Sequence, residues 1–471
     1  MLDFERKVVA YAGERRLFHP GGKVLVALSG GGDSVALLHC LSRTADVLGI
    51  TVEAAHLNHS LRGRESDEDE AFCREVCAQL GIRLAVERLV EGELRGAGES
   101  VESAARRERR SFLERIARQA GVCRIATGHT CDDQAETVLQ RLMRGTGPSG
   151  LAGILPVNDD GWVRPLLGLT RRSAREYLDE LGAGFREDSS NRDTALFRNK
   201  IRHILLPFIE SRFSPGIIGA LARLAELTRV QEEYLNEQVR ESRRVCGTYE
   251  DSDKILLDGT IFASYHTTIR GRIVRSCLER LEGGGRDTDM EEVERILGLV
   301  GSGRGEMDVT SRVRCGVGKG IVAFAVRSDR HDPVPLAIPG ETVVPTGGRI
   351  TARGLTPSDR VDGRFSVLVE SDVVKKYGAL TVGWSKRGEY MTPFGEKTAV
   401  KVSDILSDSA VPKVLRESVP IVRAGGVAVW ITGIRSAECL RTERAGAGTV
   451  LLRYDGGPEW SRLSPGSNAR R

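Results

Sequence analysis

Residues 24–36, V-L-V-A-L-S-G-G-G-D-S-V-A, decide the fold of this chain. The first five residues form a short apolar run of the kind that is buried in a parallel sheet. The three glycines after it predict a turn in which successive N–H groups can face one anion, and a helical pattern follows. Strand, glycine turn and helix in this order predict a phosphate site at the positive N-terminus of a helix. The residues expected to bind the phosphate-bearing ligand are Ser29, Gly30, Gly31, Gly32, Asp33 and Ser34.

The loop differs from two common phosphate-binding loops. No lysine follows the glycines, which excludes G-x-x-x-x-G-K-S/T, and residues 33–35 interrupt the second half of G-x-G-x-x-G. The pattern S-G-G-G-D-S after a buried strand instead resembles the loop of the ATP pyrophosphatases, which cleave ATP between the α and β phosphates. An aspartate does not stabilise a phosphate directly, so Asp33 is expected either to cap the helix or to hold Mg²⁺ against the phosphates. ATP and Mg²⁺ are therefore the predicted cofactors.

Outward from this loop, the first 200 or so residues alternate between strand and helix patterns. Strands are predicted at residues 24–28, 51–57, 84–89 and 122–126. Helices are predicted after the glycine turn and at residues 65–80, 99–119 and 132–144. This alternation indicates an α/β fold with a doubly wound parallel sheet, whose ligands bind beyond the carboxyl ends of the strands.

A second acidic motif, residues 125–137, follows the fourth predicted strand and reads I-A-T-G-H-T-C-D-D-Q-A-E-T. His129 and Asp132 fall at the strand-to-helix turn, and Asp133 and Glu136 fall in the first helical turn. Capping and the helix dipole explain part of this negative charge. The carboxylates would also suit Mg²⁺ or a cationic amine. Because Asp33 and Asp133 both follow strand ends, they are expected to face one crevice and are the predicted Mg²⁺ ligands.

Cationic and histidine side chains near these motifs are further candidates. Arg109, on the preceding helix, could offset charge that builds on phosphates in a transition state. His56 and His59, after the second strand, could line an adenine or substrate pocket, and a structural role suits them equally. Two basic clusters suit a polyanionic ligand or a solvated helix face. They comprise Arg106, Arg107, Arg109 and Arg110, and then Arg198, Lys200, Arg202 and His203.

The length of 471 residues exceeds that of one hydrophobic core and predicts two or three domains. The expected divisions are a catalytic domain (1–215), a helical linker (216–245), a mixed helical domain (246–330), a β-rich C-terminal domain (334–456) and a flexible tail (457–471). Nine cysteines, odd in number and never spaced C-x-x-C, indicate a reducing, cytoplasmic environment. No apolar run approaches the roughly 18 residues of a membrane span, and the acidic N-terminus does not resemble a secretory signal.

Four motifs occur in the order seen in bacterial tRNA(Ile)-lysidine synthetases of the PP-loop superfamily, and the chain resembles that family. They are S-G-G-x-D-S, H-x-N-H-x-L-R (56–62), E-x-A-A-R-x-x-R (102–109) and A-T-G-H-x-x-D-D-Q-A-E-T (126–137). The resemblance covers nearly all of residues 20–210, including segments 144–154, 163–167, 185–193 and 197–207. Shorter matches, K-V-S-D (401–404) and G-I-R (433–435), are similar to the family's C-terminal domain.

The resemblance implies a specific ligase reaction. ATP would adenylate C2 of the cytidine at the first anticodon position of tRNA(Ile) with a CAU anticodon. The ε-amine of free L-lysine would then displace AMP to give lysidine, which changes methionine specificity to isoleucine specificity.

By resemblance, Asp33 helps to hold Mg²⁺, Arg109 contacts the α-phosphate, and Arg202 acts near lysine or the base. Resemblance and motifs taken together, the predicted catalytic set is Asp33, Arg109, His129, Asp132, Asp133 and Arg202. The predicted lysine or base set is His59, Asp133, Glu136 and Arg202. A homodimer is left open.

One C-terminal segment departs from the family pattern R-x-x-G-D-R-F-x-P-L-G. Residues 383–395 read G-W-S-K-R-G-E-Y-M-T-P-F-G, so that Tyr390 replaces an arginine and the acid is Glu389. Which residues of this domain contact tRNA is therefore left open.

Three other functions are weighed against the ligase. A tRNA thiolase on the same fold usually needs paired cysteines, and here Cys131 alone lies near the acidic motif. A synthetase of the kind that makes GMP or NAD would carry a glutaminase or ammonia-channel domain. A non-catalytic RNA-binding protein would leave the phosphate loop unexplained.

Overall fold

The computed structural model describes residues 1–60, 63–89, 101–187, 196–284, 288–327, 332–345, 347–409, 411–442 and 448–456. The chain divides into two compact units, Met1–Tyr234 and Leu235–Arg471. The tail predicted at 457–471 lies outside the described residues, as do positions 61–62 and 188–193 of the sequence motifs. The five predicted domain divisions stay predictions.

The first unit is built on a five-stranded parallel sheet with helices, which confirms the α/β prediction. The strands are β1 (Lys23–Ala27), β2 (Thr51–Asn58), β3 (Leu84–Arg88), β4 (Arg124–Ala126) and β5 (Trp162–Val163). The helices are α1 (Asp3–Glu14), α2 (Gly32–Leu48), α3 (Arg64–Leu80), α4 (Val101–Ala120), α5 (Cys131–Met143), α6 (Pro148–Leu151), α7 (Arg171–Leu181), α8 (Phe197–Lys200) and α9 (Leu206–Arg212). Helix α10 (Ile217–Cys246) begins in this unit and ends in the second. A π-helical turn, Ile201–Leu205, joins α8 to α9.

The strand order, β3-β2-β1-β4-β5, places β1 at the point where the direction of winding reverses. On one side β1 pairs with β2, and on the other it pairs with β4, in parallel in both cases. Connections that leave β1 and β4 toward opposite faces open a crevice at their carboxyl ends, where ligands of such sheets bind. The phosphate loop and the acidic motif begin at these two strand ends, so the topology brings them together.

Strand β1 is buried on both faces, as its apolar run predicts. Val24 and Val26 belong to a core cluster with residues of α1, α2 and α7, whereas Leu25 packs with Phe112 and Leu113 of α4. Burial of a side chain the size of Leu25 contributes about 1.5–3 kcal/mol. The phosphate loop therefore starts from a strand that is fixed from both sides.

The second unit begins with an antiparallel sheet in the order β6-β7-β10-β9-β8, packed with three helices. The strands are β6 (Gly247–Glu250), β7 (Lys254–Asp258), β8 (Gly305–Asp308), β9 (Val313–Gly318) and β10 (Ile321–Val326). The helices are α11 (Gly259–Ser264), α12 (Thr267–Glu282) and α13 (Met290–Gly301).

The rest of the second unit is rich in β-structure, as predicted, with sheets in the orders β11-β15-β18-β19-β20, β12-β13-β21-β14 and β16-β17. The strands are β11 (Val334–Pro335), β12 (Gly340–Val343), β13 (Arg349–Gly354), β14 (Ser366–Val369), β15 (Leu380–Gly383), β16 (Tyr390–Met391), β17 (Val400–Lys401), β18 (Ile421–Ala424), β19 (Val427–Ile431), β20 (Arg435–Ser436) and β21 (Val450–Asp455). The helices are α14 (Ser371–Tyr377) and α15 (Val402–Asp408), and two 3₁₀ turns span Lys413–Ser418 and Glu438–Leu440.

Within the described ranges, no single helix has the length and apolar character needed to cross a membrane. Two segments joined at a bend of 103°, Phe197–Arg212 and Ile217–Cys246, together reach that length and apolar character, which is a statement about length and composition alone.

Candidate active site

The phosphate loop between β1 and α2 is held in shape by its two serines. The Ser34 hydroxyl donates to the Gly31 carbonyl oxygen at 2.9 Å, and the Ser29 backbone N–H donates to Ser34 Oγ at 3.2 Å. The two hydroxyl oxygens lie 3.1 Å apart. Gly30 has a φ of +86°, a conformation that side-chain-bearing residues rarely adopt. The serines and Gly30 therefore shape the loop from within.

Helix α2 presents an uncapped N-terminus to this loop. Its N-cap is Gly31, and no side chain caps it, so the amides of the first turn keep their hydrogen-bonding capacity. Asp33 lies inside the first turn and does not cap the helix, so the predicted capping role is wrong. With the positive end of the helix dipole, these amides form an anion site.

The turn after β4 packs directly on the start of α2. A Cβ atom added at Gly128 would lie 2.8 Å from the Asp33 carbonyl oxygen and 3.0 Å from the Ser34 nitrogen. Both atoms are backbone, so only a residue without a side chain permits this approach. Gly128 therefore holds the acidic motif against the phosphate loop.

The Asp33 carboxylate has one paired oxygen and one unpaired oxygen. Oδ2 accepts a hydrogen bond from Arg171 Nε at 3.2 Å. Oδ1 is buried and has no hydrogen-bond partner among the described residues. Burial, together with the neighbouring charges of Asp133 and Asp132, raises the pKa of Asp33 to about 6, against the opposing effect of Arg171. A buried unpaired carboxylate oxygen of this kind is suited to a cation.

Asp33 fits one side of a Mg²⁺ site. Mg²⁺ in phosphate-binding enzymes is usually held by one or two carboxylates, with substrate phosphates and water completing the sphere. The part of the chain that the structure describes contains no group of three or more His, Cys, Asp and Glu that could hold a metal by itself. The unpaired oxygen of Asp33 would therefore act with the nucleotide, and its metal role stays a prediction.

Asp133 has both oxygens occupied, which bears on its predicted role as a second metal ligand. Oδ2 accepts from the backbone N–H and the hydroxyl of Thr130, both at 2.9 Å, in a capping box at the start of α5. Oδ1 accepts from Nη2 of Arg198 at 3.0 Å, of Arg202 at 3.2 Å and of Arg171 at 3.3 Å. A metal would have to replace one or more of these guanidinium groups.

Glu136 lies one turn further along α5 and is fully buried. Its Oε2 accepts from Arg198 Nε at 2.8 Å and Arg202 Nη2 at 3.0 Å. Its Oε1 accepts from Arg202 Nε at 2.6 Å and Arg171 Nη2 at 3.5 Å. Asp133, Glu136, Arg171, Arg198 and Arg202 are called the carboxylate–arginine cluster below. Within it every carboxylate oxygen has a partner.

The two aspartates that face the crevice have opposite electrostatic environments. Burial alone would raise the pKa of Asp133, but the charges of Arg171, His129 and Arg198 lower it below its usual value. Among the described residues Arg171 is the one guanidinium that contacts Asp33, and the pKa of Asp33 is raised. At neutral pH Asp133 is therefore ionised.

Asp132 and His129 flank this cluster. Asp132 Oδ2 accepts from the backbone N–H of Arg171 at 2.8 Å and so fixes the start of α7. Burial, together with the charges of Arg164, Arg198 and Arg106, lowers the pKa of His129 to about 4, against the opposing effect of Asp133. His129 is neutral at pH 7, with Nδ1 2.7 Å from Thr127 Oγ1. As a neutral imidazole it has one N–H donor and one acceptor nitrogen, but it lacks the second proton that a general acid would give up.

Arg109 and Arg106, whose roles could not be separated by sequence, face different groups. Arg109 Nε and Nη2 lie 3.4 and 3.3 Å from His59 Nε2. Arg106 instead contributes to the lowered pKa of His129. Arg109 therefore lies beside His59, whereas Arg106 lies close enough to His129 of the acidic motif to affect its pKa.

His56 has a structural contact with the phosphate loop. It is buried at the end of β2, with Nδ1 2.9 Å from the Leu28 carbonyl oxygen and 3.4 Å from Cys73 Sγ. Its Nε2 is buried without a hydrogen-bond partner among the described residues. His56 therefore supports the loop, and a contact with adenine stays a prediction.

Arg171 is the site residue that sequence reasoning missed. It links Asp33, Asp133 and Glu136, which lie 35 to 138 positions away in the chain. One signal was available: Arg171 is the first residue of α7 after the N-cap Thr170, where a cation is unfavourable unless it has another partner.

A parallel sheet wound in this order, with a glycine-rich anion loop at its reversal point, defines a PP-loop ATP-using enzyme. Residues 2–209 match the model of the PP-loop domain, and residues 380–452 match that of the TilS substrate C-terminal domain. The chain belongs to the tRNA(Ile)-lysidine synthase family. It is accordingly an enzyme of tRNA modification that uses ATP in forming lysidine, as the sequence motifs predict.

Relatives match the chain over nearly its whole length. The tRNA(Ile)-lysidine synthase of Symbiobacterium thermophilum is 34% identical over 482 residues, covering 98% of this chain and 99% of that protein. The tRNA(Ile)-lysidine synthase of Geobacter sulfurreducens is 35% identical over 462 residues, covering 96% and 97%. Among solved structures, the U34-tRNA thiolase NcsA from Methanococcus maripaludis aligns with a TM-score of 0.42 at 20% identity, over 48% of this chain and 79% of that one.

Proposed function

We propose that this chain joins free L-lysine to tRNA(Ile) with a CAU anticodon in two steps within one crevice. ATP first adenylates the C2 oxygen of the cytidine at the first anticodon position. The ε-amine of lysine then displaces AMP and leaves lysidine. The observation that carries the proposal is the contact of Arg171 with both Asp33, beside the anion loop, and Asp133 and Glu136, the buried carboxylates.

In the first step, the base oxygen attacks the α-phosphorus and the bond to the β-phosphate breaks, so that pyrophosphate leaves. The amides of the α2 N-terminus and the hydroxyls of Ser29 and Ser34 suit the leaving phosphates. Mg²⁺, held through the unpaired oxygen of Asp33, would supply charge neutralisation for the phosphates. Arg109 is the cation proposed to contact the α-phosphate.

In the second step, the lysine amine forms a bond to C2 while the bond from C2 to the AMP oxygen breaks. The amine arrives as an ammonium and must lose a proton before or during attack. Asp133 and Glu136 form the acidic pair that suits this ammonium, and Asp133 is proposed to accept the proton. Arg202, which contacts both carboxylates, is proposed to act beside the lysine or the base.

The neutral state of His129 limits its proposed catalytic role. With a pKa of about 4, it cannot act as a general acid near pH 7. It can accept or donate a hydrogen bond to substrate beside the acidic motif. Asp132, whose Oδ2 holds the backbone of Arg171, would act by positioning that guanidinium.

The reaction is tested with purified protein, α-labelled ATP, tRNA(Ile) bearing CAU, and either labelled lysine or a sulfur donor. We expect tRNA-dependent release of pyrophosphate and AMP, with lysine entering the tRNA and no sulfur incorporation. Sulfur incorporation would favour the thiolase alternative, and ATP cleavage at the terminal phosphate would contradict adenylation.

Asp33→Asn should abolish pyrophosphate release as well as lysine incorporation, because both depend on the first step. Asp46→Asn, at an exposed position further along the same helix, is the matched control and should behave as wild type. Adenylation retained by Asp33→Asn would remove the metal role.

Two further parts of the proposal concern the setting of the enzyme. We place the activity in the cytoplasm, which agrees with nine cysteines that are all free. A homodimer is tested by light scattering of the purified chain, with and without tRNA.

A further inference from the structure

Three carboxylates of the crevice are each paired with guanidinium groups before any substrate binds. Asp33, Asp133 and Glu136 supply three negative charges, and three guanidinium groups contact them. An arriving ammonium would meet carboxylates whose oxygens are engaged, together with cations that repel it. The acidic pair proposed to bind lysine is therefore closed to a further cation in this arrangement.

Arg198 makes the two contacts that an ammonium would need. Its Nε donates to Glu136 Oε2 at 2.8 Å, and its Nη2 donates to Asp133 Oδ1 at 3.0 Å. It spans both carboxylates from one side. A lysine ammonium placed between the same two oxygens would satisfy the same acceptors.

The three arginines differ in how firmly they are held. Arg171 is anchored by four carboxylate groups, counting the bond from its backbone N–H to Asp132, and Arg202 contacts both oxygens of Glu136. Their side chains are each 20% exposed. Arg198 is 31% exposed, and among the described residues its ion-pair partners are Asp133 and Glu136. It is the guanidinium that can leave at the lowest cost.

We propose that Arg198 occupies the ammonium subsite for lysine in the unliganded enzyme and leaves it when phosphates arrive. The proposal rests on the assignment of Asp133 and Glu136 to lysine made above. A guanidinium group binds phosphate through two hydrogen bonds, as it binds carboxylate. The phosphates of ATP and tRNA can therefore replace Asp133 and Glu136 as hydrogen-bond partners of Arg198. The lysine ammonium then takes its place, and the net charge of the cluster does not change.

The exchange gives the two steps an order. The unliganded enzyme does not hold lysine at the carboxylates, because Arg198 is there. Lysine gains its subsite only after the anionic substrates have entered the crevice. Arg198 is thus a positioning residue that links nucleotide binding to amine binding.

Equilibrium dialysis of labelled L-lysine against the full-length chain, without ATP or tRNA, tests this directly. Arg198→Gln, which removes the charge, should bind lysine about tenfold or more tightly than wild type, about 1.4 kcal/mol. Arg198→Lys keeps a cation in place and should bind as weakly as wild type. Arg172→Gln, which changes an exposed arginine on α7 that pairs with Glu176, is the matched control and should not alter lysine binding.

A second measurement uses the wild-type chain alone, so that it does not depend on how a variant folds. Adding tRNA(Ile) and a non-cleavable ATP analogue should tighten lysine binding about tenfold or more. Equal lysine affinity with and without these ligands, or no gain in a folded Arg198→Gln variant, would overturn the exchange. Failure of the proposed function looks different, since no lysine would then enter tRNA under full reaction conditions.

Discussion

The buried ion pair between Arg423 and Glu389 in the second unit yields the sharpest stability prediction. The side chain of Arg423 is 1% exposed and that of Glu389 is 8% exposed. Arg423 Nε donates to Glu389 Oε1 at 2.7 Å and Nη2 donates to Oε2 at 2.8 Å, a two-point pair. Arg423 also donates to the backbone carbonyls of Ile421 and Trp384. Glu389→Ala would leave a buried guanidinium without its counter-ion.

The cost of this change follows from the burial. Removing one partner of a buried pair costs about 3–5 kcal/mol, because the remaining charge is desolvated and uncompensated. At about 2–4 °C per kcal/mol for a unit of this size, the unfolding transition should fall by about 6–20 °C. Fluorescence of Trp430, which is buried in β19 beside Arg423's own strand, reports the transition.

The control is Glu396→Ala, which removes an exposed pair with Arg435 and should cost about 0–1 kcal/mol. Glu389→Leu combined with Arg423→Met should recover most of the stability, since an apolar pair of similar volume is often neutral or better. A transition in Glu389→Ala within about 2 °C of wild type would refute the reasoning. If that variant stayed stable but lost tRNA binding, Glu389 would be an RNA contact rather than a structural acid.

Three further predictions concern the first unit. The raised pKa of Asp33, about 6 against 3.8, stabilises this unit below pH 3.8, and that stabilisation is lost as pH rises through 6. Binding of Mg²⁺ and ATP has the opposite dependence, so kcat/KM for ATP should fall about tenfold per pH unit below about 6, and a flat profile would contradict the metal role. Gly128→Ala should lower kcat about 100-fold by pushing the acidic motif off α2, whereas Gly147→Ala, with open space around it, should not. Cys131→Ala should leave lysine incorporation intact. If lysine incorporation were lost in this variant, a thiolase-like role for Cys131 would be favoured.

Local signals account for the parts of the fold that could be predicted. β1, the glycine loop and the start of α2 are contiguous, so apolar run, turn and helix can be recognised in one stretch. The same holds for β4 and α5, where the capping box joins Thr130 to Asp133, three positions away. Helix α1 was not predicted, although Phe4, Val8 and Ala12 mark its buried face at helical spacing.

Long-range pairing accounts for what could not be predicted. Arg171 meets Asp33 across 138 positions, and Arg198 meets Glu136 across 62. Arginines that lie close together in the sequence, such as Arg198 and Arg202, could face solvent, phosphate or carboxylate groups. Their partners become known only when the fold is known. Glu389 is a similar case: it stands within a segment compared with an RNA-contacting motif, whereas its partner Arg423 lies 34 positions away and is buried.

The pKa of Asp33 is raised and that of Asp133 is lowered, and this difference suits one crevice to both metal-assisted phosphate chemistry and amine binding. Asp33 has a buried free oxygen and a raised pKa, which suits a group that acquires a metal only together with phosphates. Both oxygens of Asp133 are paired, and its pKa is lowered. Such a carboxylate stays charged and can exchange a guanidinium partner for an ammonium. Arg171 contacts both, so filling the phosphate side alters the charge that the amine side experiences. In the proposed reaction, coupling of the two steps therefore requires no movement larger than the exchange of Arg198 for the lysine ammonium.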